Sequence, residues 1–163
     1  MIVVVADTSP LNYLVQIECH NFLPALYERI LVPEEVVREL SHPRTPAAVR
    51  AWADKLPAWL EVRQVYKAID VTLAGLGPGE QGAIQLAQDL RADLLLMDER
   101  KGTKIARKRG LKVAGTLGIL LIAARRGLVD IDLALTRLEM TDFRSTPELF
   151  QRVRQLAHKG TSG

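Results

Sequence analysis

The sequence predicts a three-layer α/β/α domain built on a central, mostly parallel sheet. Two aliphatic runs, Ile2-Val3-Val4-Val5-Ala6 and Leu94-Leu95-Leu96-Met97, are apolar at every position, as strands buried on both faces must be. Helical stretches separate the strand-like runs. Parallel strands joined in this way need right-handed crossovers, which place helices on both sheet faces. At 163 residues, with 48% hydrophobic and 5% aromatic content, the chain suits one aliphatic core better than an all-β sandwich.

The elements follow in chain order. After the strand Ile2 to Ala6, Thr8-Ser9-Pro10 opens a helix, with Ser9 as N-cap and Pro10 at the first helical position, running to about Cys19. A short helix, Asn21 to Glu28, precedes the strand Arg29 to Val32, and Pro33 opens the helix Glu34 to Leu40, which His42-Pro43 stops. Thr45 to Lys55 is helical, and Leu60 to Val65 alternates imperfectly, like an edge strand. Gly75-Leu76-Gly77-Pro78-Gly79 breaks the chain before the helix Glu80 to Leu90, and Ala92-Asp93 leads into the strand Leu94 to Met97. A basic helix, Glu99 to Arg109, ends at Gly110 and is followed by a short strand, Lys112 to Ala114. Gly115 to Arg126, Ile131 to Leu138 and Pro147 to Ala157 are the remaining helices. The expected organisation is one domain over residues 1–157 and a flexible tail over 158–163.

Composition limits the function classes. A net charge of +3 suits a polyanionic partner without requiring one. Cys19 is the only cysteine, so an intrachain disulfide and a cysteine-rich zinc site are both excluded. The first apolar run is too short for a signal peptide, and Leu117 to Ala124 is far shorter than the ~20 residues of a membrane span. A cytoplasmic protein with no membrane partner is expected.

Three acids carry the chemistry. Asp7 and Asp98 each end a buried strand, at the sheet edge where open α/β folds form their ligand crevice. Glu80 shares a helix face with Ala83, Ile84 and Ala87. Each has a structural alternative: Asp7 and Asp98 as caps or turn formers, Glu80 as a partner of the helix dipole. Glu34 and Glu35 are read as dipole partners. Glu39 lies a turn further on, beside Val36 and Leu40, near the helix end where a carboxylate is disfavoured. Carboxylates gathered in a desolvated cleft repel one another, and a divalent metal resolves this. On the same reasoning, Asp98→Asn is expected to leave the metal-free fold at least as stable.

The basic helix is the second signal. Arg107, Lys108 and Arg109 complement its C-terminus, but Arg100 and Lys101 sit at the opposite end, where phosphate binding together with Lys104 accounts for them better. His20, His42 and His158 lack metal-ligand spacing, Trp52 and Trp59 read as packing residues, and Gly75, Gly77 and Gly79 form a turn, not a dinucleotide fingerprint.

Taken in order, five stretches resemble the PIN-domain ribonucleases, specifically the prokaryotic, toxin-type branch: Val5 to Leu11, Val32 to Leu40, Leu76 to Ile84, Leu95 to Lys101 and Gly115 to Leu120. The resemblance implies a PIN-like fold and catalytic acids at Asp7, Glu39, Glu80 and Asp98. It further implies Mg²⁺ or Mn²⁺ held by Asp7, Glu80 and Asp98, with Thr8, Ser9 and Glu99 in support. Where many members carry a further aspartate shortly after the Asp98 position, this chain has Arg100 and Lys101, with Glu99 the only acid there.

The expected function is metal-dependent hydrolysis of RNA phosphodiesters, as the toxin of a toxin-antitoxin pair, with RNA as substrate and a small antitoxin as partner. The apolar Gly115 to Ala124 stretch and the C-terminal helices would supply the antitoxin groove or a homodimer contact. Two alternatives stand beside it: a PIN-fold interaction protein without activity, and a receiver-like module with Asp98 as phosphoacceptor. The latter expects a lysine at the end of a late strand, whereas Lys112 begins one.

Overall fold

A computed structural model describes residues 2–65 and 70–161. Five parallel strands, β1 (Val4–Ala6), β2 (Ile30–Pro33), β3 (Leu60–Arg63), β4 (Leu94–Leu96) and β5 (Val113–Ala114), form one sheet in the order β3-β2-β1-β4-β5. The helices are α1 (Thr8–Gln16), α2 (Leu23–Tyr27), α3 (Glu34–Leu40), α4 (Ala47–Asp54), α5 (Pro78–Asp89), α6 (Arg100–Lys108), α7 (Thr116–Arg125), α8 (Ile131–Glu139) and α9 (Pro147–Thr161).

Strand alternation divides the core into two. Val4, Ala6, Ile30, Val32 and Leu96 face one layer with α1, α3, α4, α7, α8 and α9, while Val5, Leu31 and Leu95 face the other with α5 and α6. β3 lies at the sheet edge, as its imperfect alternation suggests, and Val62 is exposed there. The strand order reverses between β1 and β4, so this boundary is the topological switch point. It also differs from the 2-1-3-4-5 order of receiver modules, which removes that alternative.

Several local expectations are corrected. Asp7, with extended backbone, occupies the N-cap position of α1 in place of Ser9, because the chain passes directly from strand to helix; Ser9 lies inside the first turn, where its hydroxyl reaches elsewhere. α1 ends at Gln16, not near Cys19. α9 continues to Thr161, so residues expected to start a loose tail at His158 are helical; the His158 ring meets Asp132 on α8 at 3.0 Å. Residues 162 and 163 lie outside the described residues.

The apolar helix α7 is covered from within. Ile119, Leu120, Ala123 and Ala124 are buried as α7 packs against α9, α1 and α8, leaving Ile122 as its exposed large hydrophobic residue. Its apolar character therefore supports the core of this chain first. Among the described residues, no helix is long and apolar enough to cross a membrane.

Candidate active site

The acids collect around the switch point. The Asp7 N–H donates to the Leu96 carbonyl at 2.8 Å, which fastens the end of β1 to β4 and brings Asp7 near the Asp98 turn. Only 3% of Asp7 is exposed, and its Oδ1 has no hydrogen-bond partner among the described residues. Burial, reinforced by the charges of Glu80, Glu39 and Asp98, pushes its carboxyl up to about 7. Glu80 is also raised, first by burial and then by Glu99 and Glu39. Asp7 thus feels the charge of the other three carboxylates expected from the sequence, and Glu80 that of Glu39.

Each of the other three is held by the protein. Glu39, from α3, accepts from the Thr8 hydroxyl and from the Gly79 N–H at 2.9 Å. Asp98 accepts from the Ser9 hydroxyl at 2.8 Å, the Thr116 N–H at 2.7 Å and the Thr116 hydroxyl at 2.6 Å. Glu80 Oε2 accepts from the Gly77 N–H at 2.9 Å, so this acid does perform the helix-start role that competed with a functional one. Glu99 caps α6, accepting from the N–H groups of Lys101 at 3.0 Å and of Gly102.

Two glycines let the backbone approach these carboxylates. A Cβ on Gly79 would run into the Glu39 carboxylate, and one on Gly115 would lie 2.7 Å from Asp98 Oδ1. Thr116, fully buried, is the site residue that sequence reasoning missed. Its signal was there, a small hydroxyl residue after a glycine at the start of a helix that follows a strand.

The donor set fits a hard divalent cation in its chemistry: carboxylate oxygens without histidine or cysteine, and one buried oxygen on Asp7 with no protein partner. Among the described residues, no group of three or more histidine, cysteine, aspartate or glutamate side chains is close enough to hold an ion as it stands. The protein donors to Glu39, Asp98 and Glu80 account for their separate positions.

Two grooves meet the acids. An open groove of about 750 Å³ starts at Asp98 and is lined by Arg100, Lys104, Arg107 and Lys108 along one face of α6, and by Arg144 on the α8–α9 connection. None of these five makes a salt bridge among the described residues, whereas Arg29, Arg38, Arg63, Arg109, Arg137 and Arg154 all do. Lys101, grouped with Arg100 and Lys104 by sequence, does not line this groove. From the edge of that face it directs its ammonium to the space beside Gly75. Arg107 and Lys108, assigned to the helix dipole, belong to the groove. A second, polar groove of about 350 Å³ meets the site at Glu39.

A family model described as a PIN domain matches residues 3–159. The chain belongs to the PIN-domain family. No curated protein matches it. The match spans all five strands, so Asp7, Glu39, Glu80 and Asp98 all lie inside the PIN domain, and the three-layer parallel architecture agrees with that assignment.

Proposed function

We propose that this PIN-domain protein is a metal-dependent ribonuclease that hydrolyses single-stranded RNA at the Asp7, Glu39, Glu80 and Asp98 cluster. The observation that carries the reading is the junction, at Asp98, of a buried Asp7 carboxyl raised by three half-buried acids with a groove lined by five cations that make no salt bridge among the described residues. A receptor for a neutral ligand needs neither, whereas a phosphodiester needs both, because its backbone must be attracted and its reacting phosphate neutralised.

Asp7, Glu80 and Asp98 would hold Mg²⁺ or Mn²⁺, with Glu39 beside them. Bound there, the cation would supply charge neutralisation at the scissile phosphate and a more acidic water at neutral pH. Asp7 contributes the buried oxygen with no partner, and its elevated pKa makes its charge state sensitive to neighbouring positive charge. Thr8 and Gly79 orient Glu39, and Ser9 and Thr116 orient Asp98, so binding the cation would require Asp98 to draw in from the position that these donors give it. Arg100, Lys104 and Arg144 bind the phosphates running away from the cut, through charge and not base identity.

The test is cleavage of labelled single-stranded RNA by purified protein with Mg²⁺ or Mn²⁺, beside an EDTA control and the Asp7→Asn variant. Metal-dependent products that vanish with the variant support the reading. RNA binding without cleavage under any divalent metal would favour the interaction protein of the same fold. The toxin role rests on the family resemblance, and growth arrest on expression, relieved by a small co-expressed partner, tests it.

A further inference from the structure

We infer that the polar groove beside Glu39 is a nucleobase pocket, in which Asn12 and Gln16 read one base of an RNA strand whose phosphates lie in the basic groove. The inference rests on the ribonuclease reading for its ligand class. It adds what that reading lacks, a source of sequence preference.

The two grooves differ in chemistry. The α8–α9 connection separates them, with Asp142 lining the polar groove and Arg144 the basic one. In the polar groove, the carboxylates of Glu39 and Asp142 disfavour a phosphate. Arg44 and His42 face the same space, so donors and acceptors are both present. That mixture fits an uncharged planar group carrying donors and acceptors on its edge, which describes a nucleobase. A volume of about 350 Å³ also leaves room for one.

The amides are arranged in advance. Asn12 and Gln16 stand one turn apart on α1, and Gln16 Nε2 donates to Asn12 Oδ1 at 3.1 Å. This bond leaves the Asn12 amide nitrogen to donate and Gln16 Oε1 to accept. An adjacent donor and acceptor is the pattern a base edge presents in return. The Arg44 N–H donates to His42 Nδ1 at 3.0 Å, so neutral His42 carries its proton on Nε2 as a further donor. Neither Asn12 nor Gln16 has a core role. Both are only partly buried on the outer face of a helix whose packing comes from Leu11, Leu14 and Val15.

The experiment uses a pool of short single-stranded RNA of random sequence, with the full chain and with Asn12→Ala/Gln16→Ala. In EDTA the bound fraction is recovered and sequenced; with Mg²⁺ or Mn²⁺ the ends of the products are sequenced. The parent should enrich one base at a fixed position, and the double variant should lose that enrichment by about fivefold to a hundredfold, the range for one paired amide contact. Unchanged affinity for homopolymeric polyphosphate would show that the basic groove is intact in the variant. Cleavage without any base preference, or with a preference that the double variant retains, overturns the pocket and leaves the ribonuclease reading in place. Base-selective binding without cleavage does the reverse. Failure to bind RNA at all removes both.

Discussion

Ser9 on α1 donates its hydroxyl to Asp98 at 2.8 Å, joining the first helix to the turn after β4 across 89 positions of sequence. With both Thr116 bonds, Asp98 ties α1, β4 and α7 together. Charge repulsion alone suggests that Asp98→Asn would be neutral or stabilising without metal. These bonds reverse the sign: an amide cannot accept all three at a carboxylate's strength, and the metal-free fold should lose about 1.5–3 kcal/mol. Urea denaturation of the metal-free variant checks this, and equal or greater stability would show that repulsion at Asp98 outweighs its bonds.

Repulsion is concentrated at Asp7, and pH exposes it. Its folded carboxyl titrates near 7 against 3.8 in an unfolded chain, so between those values the folded state holds a proton that the unfolded state has released. The stabilisation is complete below about pH 3.8 and is lost as pH rises through about 7. Its size is roughly 4 kcal/mol at about 1.4 kcal/mol per unit. In metal-free buffer, the stability of the parent relative to Asp7→Asn should therefore fall across that window. Added Mg²⁺ or Mn²⁺ should raise the melting temperature of the parent above pH 7 and leave that of the variant almost unmoved.

Phosphate contacts in the basic groove predict a salt signature. Replacing Arg100, Lys104 and Arg144 by alanine should weaken binding to all RNA sequences alike and reduce the slope of log affinity against log salt by about 2 for a single strand. Lys101→Ala should change the slope little, because Lys101 points to the Gly75 turn. Titrations at several ionic strengths distinguish the two, and equal effects would return Lys101 to the phosphate path.

Glycine 115 is required by space. A methyl group there would sit 2.7 Å from Asp98 Oδ1, so Gly115→Ala should cost about 1–3 kcal/mol and depress cleavage by displacing the carboxylate. Gly118, inside α7, offers the control, since nothing lies within 4 Å of its added Cβ. Gly118→Ala should stabilise the helix by about 0.5–1 kcal/mol. Thermal melts of both variants provide the measurement.

The strands were legible in the sequence because those buried on both faces admit only apolar residues, and the helix bounds of α3 were legible because a proline opens it and a His-Pro pair follows. The acids at strand ends could be located for the same reason. What a side chain bonds to could not. Ser9 looked like a cap because Asp-Thr-Ser-Pro is capping chemistry wherever it occurs, and only the pairing of β1 with β4 brings Asp98 within its reach. Lys101 and Lys104 are equivalent as charges and, three residues apart, lie on neighbouring parts of one helix face, so only the fold shows that the Lys101 ammonium turns to Gly75 while Lys104 lines the groove. The polar groove assembles residues from α1, α3 and the α8–α9 connection, and no local pattern announces it.

The central strand has a long wait. β1 pairs with β2 on one side, but its other edge stays open until β4 is made, with Val4 lying opposite Leu94. During synthesis at about 5–20 residues per second, that edge lacks its partner for roughly 5–18 s. Asp98 emerges only after β4, and its Thr116 donors emerge later still. A ribosome-bound fragment that stops short of Thr116 therefore has only the Ser9 hydroxyl to hold Asp98, and on the ribonuclease reading the nascent chain would cut poorly until Thr116 has emerged.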